Sequence, residues 1–519
     1  MKNEELKNTL IAKIPPKVLS ILHALEAAGF EAYVVGGAVR DLLLGREPGD
    51  FDITTNALPE QTMAVAKAAG WGVVDNLGNN FGCVVVLLQG EAFEVTTFRG
   101  EKYGQTDSHR PAEVWFCPTL QEDLSRRDFT INAMALDLQG NIHDYFGGQQ
   151  DLENRILRTV GKASQRYEED ALRMLRACRF VAQLGFTYVQ EEDQLPPFGA
   201  PDTPYYLPVN YKFPVGKCAG LSLERVRKEL DKLLLGAYAG KGLMLLEATG
   251  LASATCQSRD HGQLTSVAIL PELEHLVGLH QNARFHCYDT WEHTLQAVDN
   301  SPRELVIRWS MLLHDIGKGL PGIRVFHEDG TPGDHGHEHL SAKMATAIFA
   351  RLEYPRKFST RAIWLVARHM RFAPMMFTGR KTLLSWVRKE ATYIQDFTKD
   401  PAHINFRSQQ EMTEAFEQLV EVFLADMGAT HAGKNPQLMA DGKELGRQVV
   451  ELCRNRMPVT PGDLAISGKQ LLELVPRHKI RFILSYLLLR CQNGNLENEK
   501  TALLQAVTKK LQRGDLDEQ

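Results

Sequence analysis

Asp50 and Asp52, two positions apart in Gly49-Asp50-Phe51-Asp52-Ile53-Thr54-Thr55, carry the first chemistry that the chain suggests. If the segment is a strand, alternation turns both carboxylates to one face. Paired carboxylates are what a two-metal phosphoryl-transfer site requires, with the ions bridging nucleophile, leaving group and protein. Upstream stands Gly36-Gly37-Ala38-Val39-Arg40-Asp41. Glycines let a backbone pass close to a ligand. A helix starting near Ala38 offers free N–H groups and a positive dipole end to an anion such as a triphosphate. Arg40, on the first turns of that helix, reaches the same phosphates.

Asp170 and Arg173, three apart on a helix, are neighbours on its surface and suit a different task. Cytosine and adenine each place an exocyclic amine beside a ring-nitrogen acceptor. A carboxylate accepts from the amine and a guanidinium donates to the ring nitrogen, so the pair accepts C and A. Uracil and guanine present a carbonyl where the amine should be. An intrahelical salt bridge is the competing reading of the same two residues. Arg176 continues the row, whereas Arg179 drifts around an ideal helix.

These residues need elements to hold them. Ala32-Tyr33-Val34-Val35 is short, apolar and β-branched, and reads as a buried strand ahead of the glycines. Up to about Phe146, β-rich runs (83–88, 92–98) alternate with helical ones (58–69), giving a mixed α/β head. After Gly147-Gly148 the strand signals nearly vanish and helical periodicity takes over. Segment 194–220 is broken by Pro196, Pro197, Pro201, Pro204, Pro208 and Pro214.

The order of these blocks resembles the nucleotidyltransferase superfamily, and within it the class II tRNA nucleotidyltransferase (CCA-adding) and bacterial poly(A) polymerase family. The resemblance continues through Glu94-Val95-Thr96-Thr97-Phe98-Arg99, Arg126-Arg127-Asp128-Phe129-Thr130-Ile131-Asn132-Ala133, Glu169-Asp170-Ala171-Leu172-Arg173-Met174-Leu175-Arg176-Ala177 and Ser222-Leu223-Glu224-Arg225. It implies that Asp50 and Asp52 hold Mg²⁺ and that Gly36, Gly37, Arg40 and Arg127 hold the nucleotide. Arg127 would return beside the Gly-Gly turn as a bidentate phosphate donor. Asp128 resembles the residue near the ribose; Asp170 and Arg173 select the base, with Arg176 and Arg179 in support. The proline-rich stretch departs from the helix that family members carry there.

Downstream, His314-Asp315 lies in the apolar run Met311-Leu312-Leu313-His314-Asp315-Ile316-Gly317-Lys318. With His293, His337, His369 and Asp426 around it, this part resembles the HD superfamily of metal-dependent phosphohydrolases. Imidazoles with carboxylates suit Mn²⁺, Fe²⁺, Ni²⁺, Co²⁺ or Zn²⁺ rather than Mg²⁺ alone. His335 and His339 give a weaker signal, since a His-rich loop binds metal adventitiously. Residues 463–504 resemble the family's tRNA-holding tail.

The 519 residues, 44% of them hydrophobic, suffice for about three or four domains. The expected architecture is α+β: a mixed-sheet head (1–147) followed by an all-α neck (148–265), HD domain (270–432) and tail (433–519). The charged Met1-Lys2-Asn3-Glu4-Glu5 start shows no signal peptide, and no apolar run approaches spanning length. Eight scattered cysteines without Cys-x-x-Cys suit reduced thiols, so a cytoplasmic location and no membrane partner are expected. A net charge of −5 excludes a uniformly basic nucleic-acid coat. An RNA partner then needs a local patch; one candidate is Arg356, Lys357, Arg361, Arg368, Arg371, Arg380, Lys381 and Arg388, and a solvated helix face is its rival reading.

The expected activity is addition of C, C and A from CTP and ATP to the tRNA 3′ end. Its rivals are a poly(A) or A-only polymerase, and a phosphohydrolase or 2′,3′-cyclic phosphodiesterase whose head only binds RNA. The oligomeric state is not encoded in any motif.

Overall fold

The computed structural model describes residues 2–74, 82–103, 111–190, 213–260, 262–376, 380–398 and 400–512. Most of the proline-rich stretch, with Pro196, Pro197, Pro201, Pro204 and Pro208, lies outside the described residues. Pro214 precedes a short 3₁₀ turn, Val215–Gly220. The chain forms two compact units, Met1–Ile269 and Leu270–Gln519.

In the first unit, α1 (Lys2–Ala12) and α2 (Pro16–Ala27) precede β1 (Ala32–Val35), α3 (Gly37–Leu43), β2 (Asp52–Thr55) and α4 (Pro59–Ala68). Then come β3 (Gly72–Val74), β4 (Cys83–Leu88), β5 (Glu91–Thr97), β6 (Arg99–Tyr103), β7 (Pro111–Phe116), α5 (Leu120–Ser125), β8 (Met134–Leu136) and β9 (Ile142–Asp144). Seven strands make one mixed sheet in the order β3-β4-β5-β2-β1-β8-β9, with β2 and β5 parallel and the other pairs antiparallel. The apolar residues at alternate positions of β1, β2 and β5, including Val34, Ile53 and Val95, are buried. The register Val35↔Asp52 sets the Asp52 carboxylate beside the start of the Gly-Gly turn.

The rest of this unit is mainly helical, as its periodicity requires: α6 (Gly148–Glu153), α7 (Ala163–Glu169), α8 (Leu172–Leu184), α9 (Leu223–Leu234) and α10 (Ala239–Ala248). Short ladders interrupt the helices. β10 (Ile156–Leu157) pairs with β11 (Thr187–Tyr188), and β12 (Thr255–Asp260) with β13 (Gln263–Ala268). β10 and β11 are two residues each, too short for a period-two pattern to stand out, while the six-residue β12 and β13 are largely polar and lack an apolar run. Ser222 caps α9 by accepting from the Arg225 N–H.

The second unit is helical around a small hairpin. It holds α11 (Thr290–Asn300), α12 (Leu305–Leu313), β14 (Arg324–Phe326), β15 (Pro332–Asp334), α13 (His337–Arg351), α14 (Arg356–Arg368), α15 (Phe372–Met375), α16 (Arg380–Ala391) and α17 (Gln409–Gly428). Trp309, Trp364, Phe372 and Phe416 are fully buried at its centre. α18 (Pro436–Arg456) packs on α17. A separate apolar cluster from Leu464 to Val507 unites α19 (Gly468–Leu471), α20 (Ile480–Gln492) and α21 (Lys500–Gln512).

Folding divides the candidate basic patch: Arg356, Lys357 and Arg371 stay exposed, whereas Arg361 and Arg368 are engaged by other side chains. Arg368 is buried and bound to Glu390 at 2.9 Å and to Asp400 at 2.5 Å. Arg361 donates to Gln418 at 2.8 Å. The side chains of Arg380 and Lys381 lie outside the described residues. A buried guanidinium is costly without a partner, so acids distant in sequence were recruited to it.

Candidate functional sites

Gly36 has φ +80°, a left-handed conformation open to glycine, and it caps α3. A Cβ there would stand 2.9 Å from Nη1 of Arg127, so the missing side chain is what lets the guanidinium slide under the turn. Arg127 Nη2 lies 3.7 Å from Asp123, and its Nε finds no hydrogen-bond partner among the described residues. Asp123 was not foreseen from the sequence. It is fully buried, accepts from Thr54 at 3.2 Å and from Arg126 at 2.8 Å, and anchors this corner. Burial opposes its charge, yet Arg126 and Arg127 hold the carboxyl below the usual range.

β2 begins at Asp52, so Asp50 belongs to the lead-in loop and strict strand alternation does not relate the two. Both are exposed. Their carboxylates still feel one another: partial desolvation, then the Asp50 charge, pushes Asp52 upward, with Glu94 on β5 adding to it. Three acids facing one opening repel, and a divalent cation would relieve them. Arg40 is held by both oxygens of Asp41 at 2.9 Å and by Asn132 at 2.7 Å.

The pairing on the recognition helix needs correction. Asp170 is not on a helix with Arg173. It terminates α7 in an extended conformation (φ −142°, ψ 106°) before α8 begins. Its Oδ2 accepts from Arg225 at 3.0 Å and its Oδ1 from the Leu172 N–H at 3.0 Å. Arg173 instead donates to Glu169 at 2.6 Å and to the Arg126 carbonyl at 2.8 Å. The intrahelical salt bridge is therefore absent, and the two polar tips are fixed separately. Arg176 grips Asp128 through Nε at 2.7 Å. Burial works against the Asp128 charge, but Arg176 brings its pKa down to about 2. Arg179 is buried against Glu229 at 3.2 Å, and desolvation followed by the Arg176 charge lowers it to about 10.

In the second unit, six residues spread from α11 to α17 converge. His293 sits on α11, whose cap Asp289 accepts from the Glu292 N–H at 2.7 Å. His314 and Asp315 follow α12, His337 opens α13, His369 follows α14, and Asp426 lies near the end of α17. Asp315 is shared by two groups able to hold an ion, His293–His314–Asp315 and Asp315–His337–His369. Its Oδ2 is 3.2 Å from His314 Nε2 and its Oδ1 3.1 Å from His337 Nε2. Asp426 lies 3.1 Å from His293 Nε2.

Each ring's Nδ1 faces a backbone carbonyl: Ala429 for His293 (3.2 Å), Met311 for His314 (2.6 Å), Asp334 for His337 (2.7 Å) and Val366 for His369 (2.7 Å). Carbonyls only accept, so the Nδ1 atoms carry the protons and the Nε2 lone pairs point inward. Two pairs of these Nε2 atoms then stand 3.2 Å apart, His293 against His314 and His337 against His369. Facing lone pairs repel; a cation between them resolves the conflict, so the donor set fits a metal. Burial, then the neighbouring rings, takes His369 down to about 3, while Asp315 raises His314 against its burial.

Lys318 was missed as part of this site. It is buried, with Nζ 2.7 Å from Asp315 and 2.8 Å from Gln281. The turn before it requires Gly317, where a Cβ would meet the His337 carbonyl at 2.7 Å.

A glycine turn beside carboxylates and a separate histidine-carboxylate centre are the two sites that the comparisons with known proteins bear on. Residues 32–158 match the Poly A polymerase head domain, 217–255 the probable RNA and SrmB-binding site of polymerase A, and 284–414 the HD domain. The CCA-adding enzyme of Geobacillus thermodenitrificans is 47% identical over 242 residues, 46% of this chain and 54% of the relative. That of Lactobacillus johnsonii is 40% identical over 273 residues, 53% and 62% respectively. The chain thus spans about half the length of the curated relatives it matches. A crystal structure of the Bacillus stearothermophilus CCA-adding enzyme in complex with CTP shares 28% identity at a TM-score of 0.57, covering 97% of this chain and 99% of that one. The Thermotoga maritima CCA-adding enzyme complexed with tRNA, at 17% identity and a TM-score of 0.54 over 98% of each chain, shares the fold. Over its head and HD segments the chain is thus similar to the CCA-adding enzymes and to the Poly A polymerase head and HD domain families. Among the described residues, no helix is long and apolar enough to cross a membrane.

Proposed function

We propose that the protein adds C, C and A to the 3′ end of tRNA from CTP and ATP, in the cytoplasm where tRNA is repaired. The observation that carries this is Arg127, its Nε unpartnered beneath Gly36 and next to Asp52. A buried donor held ready beside paired carboxylates suits a triphosphate. Asp50 and Asp52 would hold Mg²⁺, an oxygen-preferring ion. When bound, such metal stabilises charge on the attacking and leaving oxygens. The chain's own part is orientation. Arg127, Arg40 and the N–H groups at Gly36 and Gly37 grip the phosphates, while Asp128 holds Arg176 in place. Asp170 and Arg173 read the base by exchanging Arg225 and Glu169 for its Watson–Crick edge, with Arg176 and Arg179 as cationic backing. The tRNA 3′-hydroxyl oxygen would then bond to the α-phosphorus as the bond from that phosphorus to the α–β bridging oxygen breaks, releasing pyrophosphate and passing the hydroxyl proton to solvent. The relatives' name and the CTP-bound neighbour support CCA addition. Incubation with tRNA lacking CCA and each NTP separately tests it: incorporation of ATP alone in long runs would identify a poly(A) polymerase instead.

The converging Nε2 atoms favour a second activity at the HD centre, which His293, His314, Asp315, His337, His369 and Asp426 would form around Ni²⁺, Co²⁺, Mn²⁺ or Fe²⁺. Metal there would supply a hydroxide-like nucleophile for phosphate esters. Lys318 is placed to meet phosphate charge. A 2′,3′-cyclic phosphate end cannot accept a nucleotide, so its hydrolysis would prepare damaged tRNA. The assay supplies each metal with a cyclic-phosphate RNA end.

A further inference from the structure

Phe180 lies on α8 one residue beyond Arg179, and its type marks it only as core. Its ring is 5% exposed. Three guanidinium groups nevertheless gather over it: Arg179 at 4.3 Å from the centroid, Arg40 at 5.3 Å and Arg176 at 5.5 Å. Phe129, adjacent to Asp128, meets the ring nearly edge-on at 5.5 Å and 80°. The three cations come from different places. Arg40 belongs to α3, which starts at the Gly-Gly turn, whereas Arg176 and Arg179 belong to α8, which starts beside Asp170.

Like charges so close repel, and each already has one acid: Asp41 for Arg40, Asp128 for Arg176 and Glu229 for Arg179. Some of this acid charge is shared, since Asp128 and Glu229 both act on Arg176 and Arg179. Asn132 accepts from Arg40 at 2.7 Å and donates to Asp128 at 3.3 Å, while Asp41 serves Arg40. The negative face of an aromatic ring attracts all of them at once without quenching their charge. A leucine would fill most of the same volume but offer the guanidiniums no negative face, leaving their mutual repulsion to the acids alone. We propose that Phe180 is a positioning residue that gathers Arg40 with Arg176 and Arg179 around one aromatic ring, holding the phosphate-binding turn and the base-reading helix in one register. The proposal rests on the nucleotide-addition reading, and it predicts that losing the ring harms binding and base choice together.

The test compares the full-length protein with Phe180→Leu and Phe180→Tyr. For Phe180→Leu, KM for both CTP and ATP should rise about tenfold, with kcat changed less. Misincorporation of UTP and GTP should rise as well. Phe180→Tyr, which keeps the ring, should stay closer to wild type than Phe180→Leu in both respects. Thermal unfolding and equilibrium binding of CTP accompany the kinetics. Wild-type KM and selectivity in Phe180→Leu would overturn the proposal. So would equal impairment of the Leu and Tyr variants in step with a lowered Tm, because the ring would then only fill space. A wild-type protein that neither binds CTP nor adds nucleotide would overturn the nucleotide reading, and this proposal with it.

Discussion

The two candidate metal centres differ in how much of each is built before any ligand arrives. At the sheet, Asp50 and Asp52 are exposed oxygen donors, with Arg127 beside Asp52 beneath the Gly36 turn. In the helical unit, His293, His314, Asp315, His337 and His369 are buried, and backbone carbonyls fix every ring's proton. Two carboxylates alone would bind metal weakly, so on the proposed reading the first site would be completed by the phosphates of its substrate. The second gathers its donors before any ion arrives, with Nε2 lone pairs that repel one another. The contrast expected is therefore between an ion that comes with substrate and one that is held by the protein.

Substitution of a head carboxylate should break that contrast most sharply. Asp52→Ala is expected to lower nucleotide addition by roughly a thousandfold or more, since metal catalysis supplies several kcal/mol. Metal retained by the helical unit, read by elemental analysis, should not change. Addition at near-normal rate with ordinary Mg²⁺ dependence would mean that Asp52 lies outside the reaction.

Selectivity gives the next largest effect. Asp170→Ala or Arg173→Ala should raise UTP and GTP incorporation relative to CTP and ATP by about a hundredfold, because an unpaired buried donor or acceptor is what rejects the wrong base. Unchanged ratios in both variants would move base reading elsewhere, for instance to the RNA.

Metal removal sharpens the comparison through stability. Prolonged chelation should lower the Tm of the helical unit by several degrees, as expected for loss of about 3 kcal/mol of ligand stabilisation. His314→Ala should reproduce that loss, together with loss of cyclic-phosphate hydrolysis, while nucleotide addition survives. A Tm indifferent to chelators, with no metal on the purified protein, would reduce the HD centre to scaffolding.

The smallest effect is electrostatic. Asp128, held near a pKa of about 2 against its burial by Arg176, is depressed below the unfolded value near 3.9. Its stabilisation is therefore present above about pH 4 and is lost as pH falls toward 2, an effect of about 2 to 3 kcal/mol at most. Asp128→Asn should remove it at neutral pH and flatten the acid limb of urea unfolding curves. An unaltered acid limb would show that Arg176 finds another partner.

Much of this was legible because local chemistry demands local sequence. A turn that admits a guanidinium needs glycine, and Gly36 and Arg127 meet where their motifs lead one to expect. The apolar run around His314-Asp315 could be recognised because a polar pair inside a buried helix requires a purpose. By contrast, the helical spacing of Asp170 and Arg173 misled. Three residues apart implies one helix face only when a helix runs through both, and here α7 ends at Asp170. Lys318 and Asp123 carry no periodic signal; only their partners reveal them.

The sequence by itself determined the strand-turn-helix around Gly36, the carboxylates that follow it and the set of residue types able to hold a second metal. These follow from backbone sterics, side-chain periodicity and donor chemistry, all acting within a few residues. Tertiary structure alone decided which arginines stay available for an anion and which are spent. Arg368 went to Glu390 and Asp400, Arg179 to Glu229, and Arg225 to Asp170. A buried charge must find its counter-charge wherever the fold brings one, and chain separation places no limit on that search.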